Sequence, residues 1–213
     1  MQLAGSPSWR LSLDNPQTLD IALFVRDSVG LVAPPRPEVP PAFAARVSDH
    51  TAVLTDPARI QAGEQWLEWW GRLIAYEITP RPDPGADMRQ RLTDYQRVMD
   101  PPDFDSLADL PALRTAVTTI FSAAAGWLSV TRRQATDRLH LDHALVRDVV
   151  ADVIAEHGVR PDQLDAAIIV LEVAGAWSHL AGPGAMFCSA NTFSDPVSAR
   201  AVLREALVTS LDR

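Results

Sequence analysis

Ala166-Ala-Ile-Ile-Val-Leu-Glu-Val-Ala-Gly175, continuing through Ala176-Trp-Ser-His-Leu-Ala-Gly-Pro-Gly184 to Ala185-Met-Phe-Cys-Ser-Ala-Asn191, is the stretch on which the fold turns. Its Ile168-Ile169-Val170 run is β-branched and apolar in every direction, which suits a buried strand, and Gly175 lowers helix propensity further. A single helix from Pro161 to Leu180 is the competing reading, with Val170, Val173, Trp177 and Leu180 in register. The strand reading is preferred: residues 166–175 and 185–191 form an antiparallel hairpin with a long tip. At that tip, Gly182-Pro183-Gly184 puts proline at the second and glycine at the third position of a turn. Two strands alone are marginal in water, so helices must cover at least one face.

The rest of the chain supplies those helices. Three places set a short polar acceptor directly before proline: Asn15-Pro16, Asp56-Pro57 and Asp195-Pro196. The acceptor is expected to cap free first-turn N–H groups while proline, lacking a donor, fills the first helical position. Helices are predicted on this basis near 16–29, 57–78 and 196–211. Ile60, Gly63, Leu67, Trp70 and Ile74 recur at heptad-like spacing in the second.

A short charged helix is predicted over 86–99, with Met88, Leu92, Tyr95 and Met99 on one side. A longer one is predicted over 110–131, where Leu113, Val117, Ile120, Ala124, Trp127 and Leu128 repeat with helical period. The next spans 142–157, capped by Asp142, stapled by Leu141 and Val146, and closed at Gly158. The expected fold class is therefore α+β, predominantly α-helical: about six helices with one C-terminal antiparallel β-hairpin. Residues 1–213 read as one domain with Pro-rich connections at 34–41, 80–85 and 101–102.

Composition excludes several functions. All 19 cationic side chains are arginine, so Schiff-base chemistry and a P-loop lysine have no residue to perform them. The net charge of −8 repels phosphate backbones, and Arg132, Arg133 and Arg138 form the only tight basic cluster, so no nucleic-acid partner is expected. The apolar run Ala166–Leu171 falls far short of the ~20 residues a membrane helix needs. The opening residues lack a basic region followed by an apolar one, and Cys188 is the single cysteine. Both features set the expected location as the cytoplasm, with no membrane association.

Candidate chemistry is sparse. His140-Leu-Asp-His143 has the residue types of a metal site, but a cap at Asp142 puts His140 outside the helix and separates the pair, so no metal is expected. Asp100, Asp103, Asp105 and Asp109 lack the glycine and terminal glutamate of a calcium loop and read as turn formers. Cys188 and His179 are the catalytic alternative, a thiol and an imidazole that a hairpin could bring together. Ser178, beside His179, lacks a nucleophile-elbow motif.

Trp66, Trp69 and Trp70, joined by Trp177, are the candidate binding residues. Their indoles spread over so wide an arc that they serve as core packing or as an exposed partner-binding ridge. The function expected is a non-enzymatic cytoplasmic protein-interaction or ligand-binding protein without cofactor. Its occupant would be a protein partner, a small apolar ligand or a second copy of the chain. The alternative is a small metal-independent hydrolase-like enzyme with its site around the C-terminal hairpin.

Overall fold

The computed structural model describes residues 8–79, 88–136 and 141–212, with the side chains of Met88 and of residues 132–136 also left aside. His140, Arg138, the prolines at 80–84 and the first seven residues lie outside that range, as do the side chains of Arg132 and Arg133. The chain divides into two compact units: Pro16–Thr136 forms one, inserted in sequence between the two parts of the other, Met1–Asn15 and Asp137–Arg213.

The inserted unit is helical. It comprises α1 (Gln17–Val29), α2 (Asp56–Ile78), α3 (Met88–Gln96) and α4 (Pro111–Thr136), with single 3-10 turns at Thr51–Val53 and Asp105–Leu107. Helices α1, α2 and α4 pack on one another. Leu113, Val117, Ile120, Ala124 and Leu128 of α4 are all buried, as their helical period predicts. α3 stops at Gln96, short of the predicted 99, and Leu92 is exposed. Met99 is buried beyond its end.

Helix α2 approaches the preceding loop so closely that a Cβ at Gly63 would stand 2.3 Å from the Val32 carbonyl oxygen. That loop is tied from the other side. Arg26 donates through Nη1 to the Pro40 carbonyl at 2.6 Å and through Nη2 to the Pro41 carbonyl at 2.8 Å, and its Nε meets Asp27 at 2.6 Å.

The second unit holds the sheet, β1 (Arg10–Asp14), β2 (Asp165–Leu171), β3 (Ser178–Gly182) and β4 (Ala185–Ser189), with α5 (His143–His157) and α6 (Pro196–Thr209). Among the described residues the architecture is thus mixed α/β, six α-helices and one four-stranded sheet, ordered β1-β2-β4-β3. Alternate residues Ile168 and Val170 of β2 and Met186 and Cys188 of β4 meet Val146, Val149, Val150 and Val153 of α5 and Val202, Leu203, Ala206 and Leu207 of α6 in one core. Leu141 and Val146 join this core, as a staple across the Asp142 cap requires.

The predicted hairpin needs correction. Residues 165–171 and 185–189 are adjacent but parallel, with Val170 beside Cys188. The antiparallel partner of β4 is β3, taken from what read as the hairpin tip. Proline closes that pairing locally: Pro183 cannot donate, and Gly184 at φ +66° supplies the left-handed third position of a type II turn. The fourth strand, β1, was absent from the expectation and adds parallel to β2.

The capping expectation holds in part. Asp195 accepts from the Val197 and Ser198 amides and Asp142 from Ala144. Asn15 does not cap; its Nδ2 donates to the Val170 carbonyl at 3.0 Å, holding the end of β1 to β2. Asp56 lies inside α2, where Thr55 takes the cap position, and pairs with Arg59.

Candidate functional site

The sheet has two outer strands. β1 carries a charge at each end, Arg10 and Asp14, the kind of guard that keeps an edge from pairing. β3 reads Ser-His-Leu-Ala-Gly and holds no formal charge, with Ser178 exposed and Leu180 38% exposed.

The direction of its backbone follows from one bond. The Ser189 amide donates to the Trp177 carbonyl at 2.8 Å, so Trp177 and Ser189 form a hydrogen-bonding pair. Antiparallel alternation then makes His179 and Phe187 the next such pair and turns the N–H and C=O of Ser178 and Leu180 away from β4. A register shift between Leu180 and Gly182 ends this regular edge.

A buried polar ring anchors the edge where it begins. The Trp177 N–H donates to Ser189 Oγ at 3.1 Å, Ser189 Oγ and Thr192 Oγ1 are 3.1 Å apart, and Thr192 Oγ1 donates to the Trp177 carbonyl at 3.4 Å. With the amide donating to Ser189 and Thr192 to the carbonyl, Ser189 donates to Thr192, and every hydroxyl is satisfied. Ser189 and Thr192 are both buried, so the ring fixes Trp177 without offering either hydroxyl to a substrate.

On this anchored backbone the Trp177 and His179 rings stack, with centroids 6.3 Å apart and planes inclined by 21°. They are two residues apart on a strand and so share a face. Both are half-buried.

The proposed dyad of Cys188 and His179 does not form. Cys188 stands opposite Ser178, and His179 stands opposite Phe187. Directly opposed residues point to the same side, so the thiol and the imidazole project from opposite faces of the sheet. Cys188 is fully buried among Ile168, Val170 and Met186, and burial pushes its thiol up to about 12, far from the low values of reactive thiolates.

Trp66, Trp69 and Trp70 are interior residues of the helical unit and make no exposed ridge. Each indole N–H is satisfied by a different segment: Trp66 by the Ala22 carbonyl at 2.8 Å, Trp69 by Val98 at 2.9 Å and Trp70 by Glu38 at 2.9 Å. Burying so much aromatic area with all three polar handles paired is the physical reason they turn inward. His143 is exposed on α5.

In the acidic loop Asp100 accepts from the Ser106 amide and hydroxyl, Asp105 pairs with Arg114 and Asp109 with Arg72. Those carboxylates are engaged within the protein. No group of three or more metal-ligating side chains occurs among the described residues.

Surface depressions of about 420 Å³ and about 290 Å³ lie beside Pro34, Arg36, Glu64 and Leu67, and beside Gln163, Asp165, Ser210 and Leu211; in the second the Ser210 hydroxyl donates to the Leu207 carbonyl at 2.7 Å. Among the described residues no helix is long and apolar enough to cross a membrane.

Sequence reasoning picked out Trp177, Ser178 and His179 but missed that 178–182 is a strand, and it missed Ser189 and Thr192. The available signal was Gly182-Pro183-Gly184, in which the two loop residues Pro183 and Gly184 are enough to join adjacent antiparallel strands. Compared with family models, curated proteins and solved structures, the chain matches none.

Proposed function

We propose that this chain is a binding protein without catalysis, which engages its partner along the outer edge of β3. The observation that carries the reading is the outward turn of the Ser178 and Leu180 backbone groups at an exposed, uncharged strand end, beside the half-buried Trp177–His179 stack. Such an edge is a template for another strand, and an anchored aromatic pair adds contact area at little entropic cost. The same proposal sets the protein in the cytoplasm, where its one thiol stays reduced.

Selection of random peptides on the intact chain tests it. Winning peptides should lose affinity for the Trp177→Ala and Leu180→Pro variants and keep it for Val130→Ser, which alters an exposed apolar residue of the other unit. Binding that survives both β3 substitutions puts the partner elsewhere and ends the proposal.

A further inference from the structure

Resting on that reading of β3, we infer that the partner is an extended, cationic peptide segment that adds to the sheet as a fifth strand, with arginine over Trp177 and an aliphatic residue beside Leu180. Three observations define the occupant.

The first is backbone geometry. Only Ser178 and Leu180 present outward N–H and C=O groups before the shift at Ala181, so the segment pairs over a short span and must be extended to reach both. Main-chain bonds supply the docking, and alternate side chains supply the choice of partner.

The second is charge. The unit that holds the sheet, residues 1–15 and 137–213, carries seven arginines against twelve carboxylates, a net of −5 with histidine neutral. Arg200 and Arg204 are already paired with Asp152 and Glu156. An anionic strand, or a second copy of this −8 chain, is repelled, whereas a cationic one is attracted.

The third is the difference between the two faces of β3. Trp177 and His179 share one face, and an indole face favours a guanidinium stacked on it. Leu180 lies on the other face, 38% exposed, where an aliphatic neighbour is preferred. A strand alternates its side chains, so cation and aliphatic must alternate in the partner.

The probe is a labelled Arg-Val-Arg-Val-Arg-Val-Arg peptide, followed by fluorescence anisotropy on the full chain. Its controls are a Glu-Val counterpart, a peptide of the same composition with its arginines and valines in separate blocks, and an N-methylated version whose outward amides cannot donate. Saturable binding of the alternating cationic peptide is expected, weakened roughly tenfold or more by Leu180→Pro, by Trp177→Ala and by N-methylation, a factor that matches loss of one or two modest contacts. It should also weaken as ionic strength rises from about 0.05 to about 0.5 M. Leu180→Pro removes an outward donor and the leucine side chain without breaking a backbone bond to β4, and if that variant fails to fold, the N-methylated peptide tests the main-chain bonds alone from the ligand side.

Equal binding of the Glu-Val peptide, with both lost in Leu180→Pro, overturns the cationic assignment and leaves the β3 edge as the docking place. Binding that ignores Leu180→Pro, N-methylation and the block arrangement is nonspecific attraction and overturns the inference. A concentration-dependent dimer abolished by Leu180→Pro names a second copy as occupant and overturns it too.

Discussion

Trp66 and Trp70 stack in successive turns of α2, centroids 5.2 Å apart and planes within 13°, and the Arg26 guanidinium lies 5.3 Å over the Trp66 ring. Adjacent indoles on one helix thereby hold α1 through Arg26 and the Ala22 carbonyl, and the Pro-rich loop through the Glu38 carbonyl.

The two carbonyls are not equivalent. Ala22 lies inside α1, where its oxygen also accepts the usual helical bond, whereas Glu38 lies in a loop. Trp70→Phe is therefore expected to destabilise more than Trp66→Phe, by about 1–3 kcal/mol against about 1 kcal/mol or less. Alanine at either position should cost about 3–5 kcal/mol through the cavity it leaves. Urea denaturation of the four variants gives the order, and equal costs for the two phenylalanine variants would refute the distinction.

Cys188 makes a prediction about alkaline stability. Its thiol ordinarily ionises at 9.0, and burial raises that to about 12 in the fold. Below pH 9 neither state ionises, and the neutral thiol's contribution is fully present. From pH 9 to pH 12 the unfolded chain releases a proton that the folded chain retains, so stability falls with a slope approaching about 1.4 kcal/mol per pH unit from this group. The difference between native protein and Cys188→Ala, followed by denaturation from pH 8 to pH 11, should carry that slope. Iodoacetamide should label the thiol only after denaturant is added; rapid labelling of the folded chain would place it at the surface.

Legibility followed the range of the forces involved. The helices showed in the sequence because caps, prolines and apolar periods act within a few residues, as Asp142 with Gly158 and the α4 stripe demonstrate. Strand partners did not. Arg10 pairs with Asp165, 155 residues away, and nothing local in Arg-Leu-Ser-Leu-Asp announces a parallel neighbour. β3 was hidden for another reason: an edge strand with exposed Ser178 and Leu180 lacks the β-branched, buried signature by which β2 was found. The same distance effect misread Asn15, whose side chain bonds to Val170 in preference to the adjacent helix start.

Ser189→Ala should be costlier than its size suggests. It leaves the part-buried Trp177 N–H without its acceptor and removes the hydroxyl that donates to Thr192 Oγ1, so a loss of about 1–3 kcal/mol is expected. Because the ring anchors the start of β3, the Trp177 amide should also exchange with solvent faster while amides of α2 keep their protection. Unchanged exchange at Trp177 would show that the edge is held by other contacts.

Two glycines of α2 should respond to alanine with opposite signs. In a helix interior alanine is favoured over glycine by about 0.8–1 kcal/mol, because glycine loses more backbone freedom on folding. At Gly71 a Cβ would meet nothing within 4 Å, so Gly71→Ala should realise most of that gain. At Gly63 the same atom would stand 2.3 Å from the Val32 oxygen and 2.7 Å from its carbonyl carbon, both backbone, which no rotamer change can relieve. α2 or the 31–41 loop must then shift. That loop is held by Arg26 at Pro40 and Pro41 and by Trp70 at Glu38, so it yields only by stretching those bonds. Gly63→Ala is accordingly expected to lose about 1–3 kcal/mol net. The comparison is internal to one helix and needs only thermal or urea melts of two variants. A stabilised Gly63→Ala would mean that the loop lies against α2 without being fastened to it.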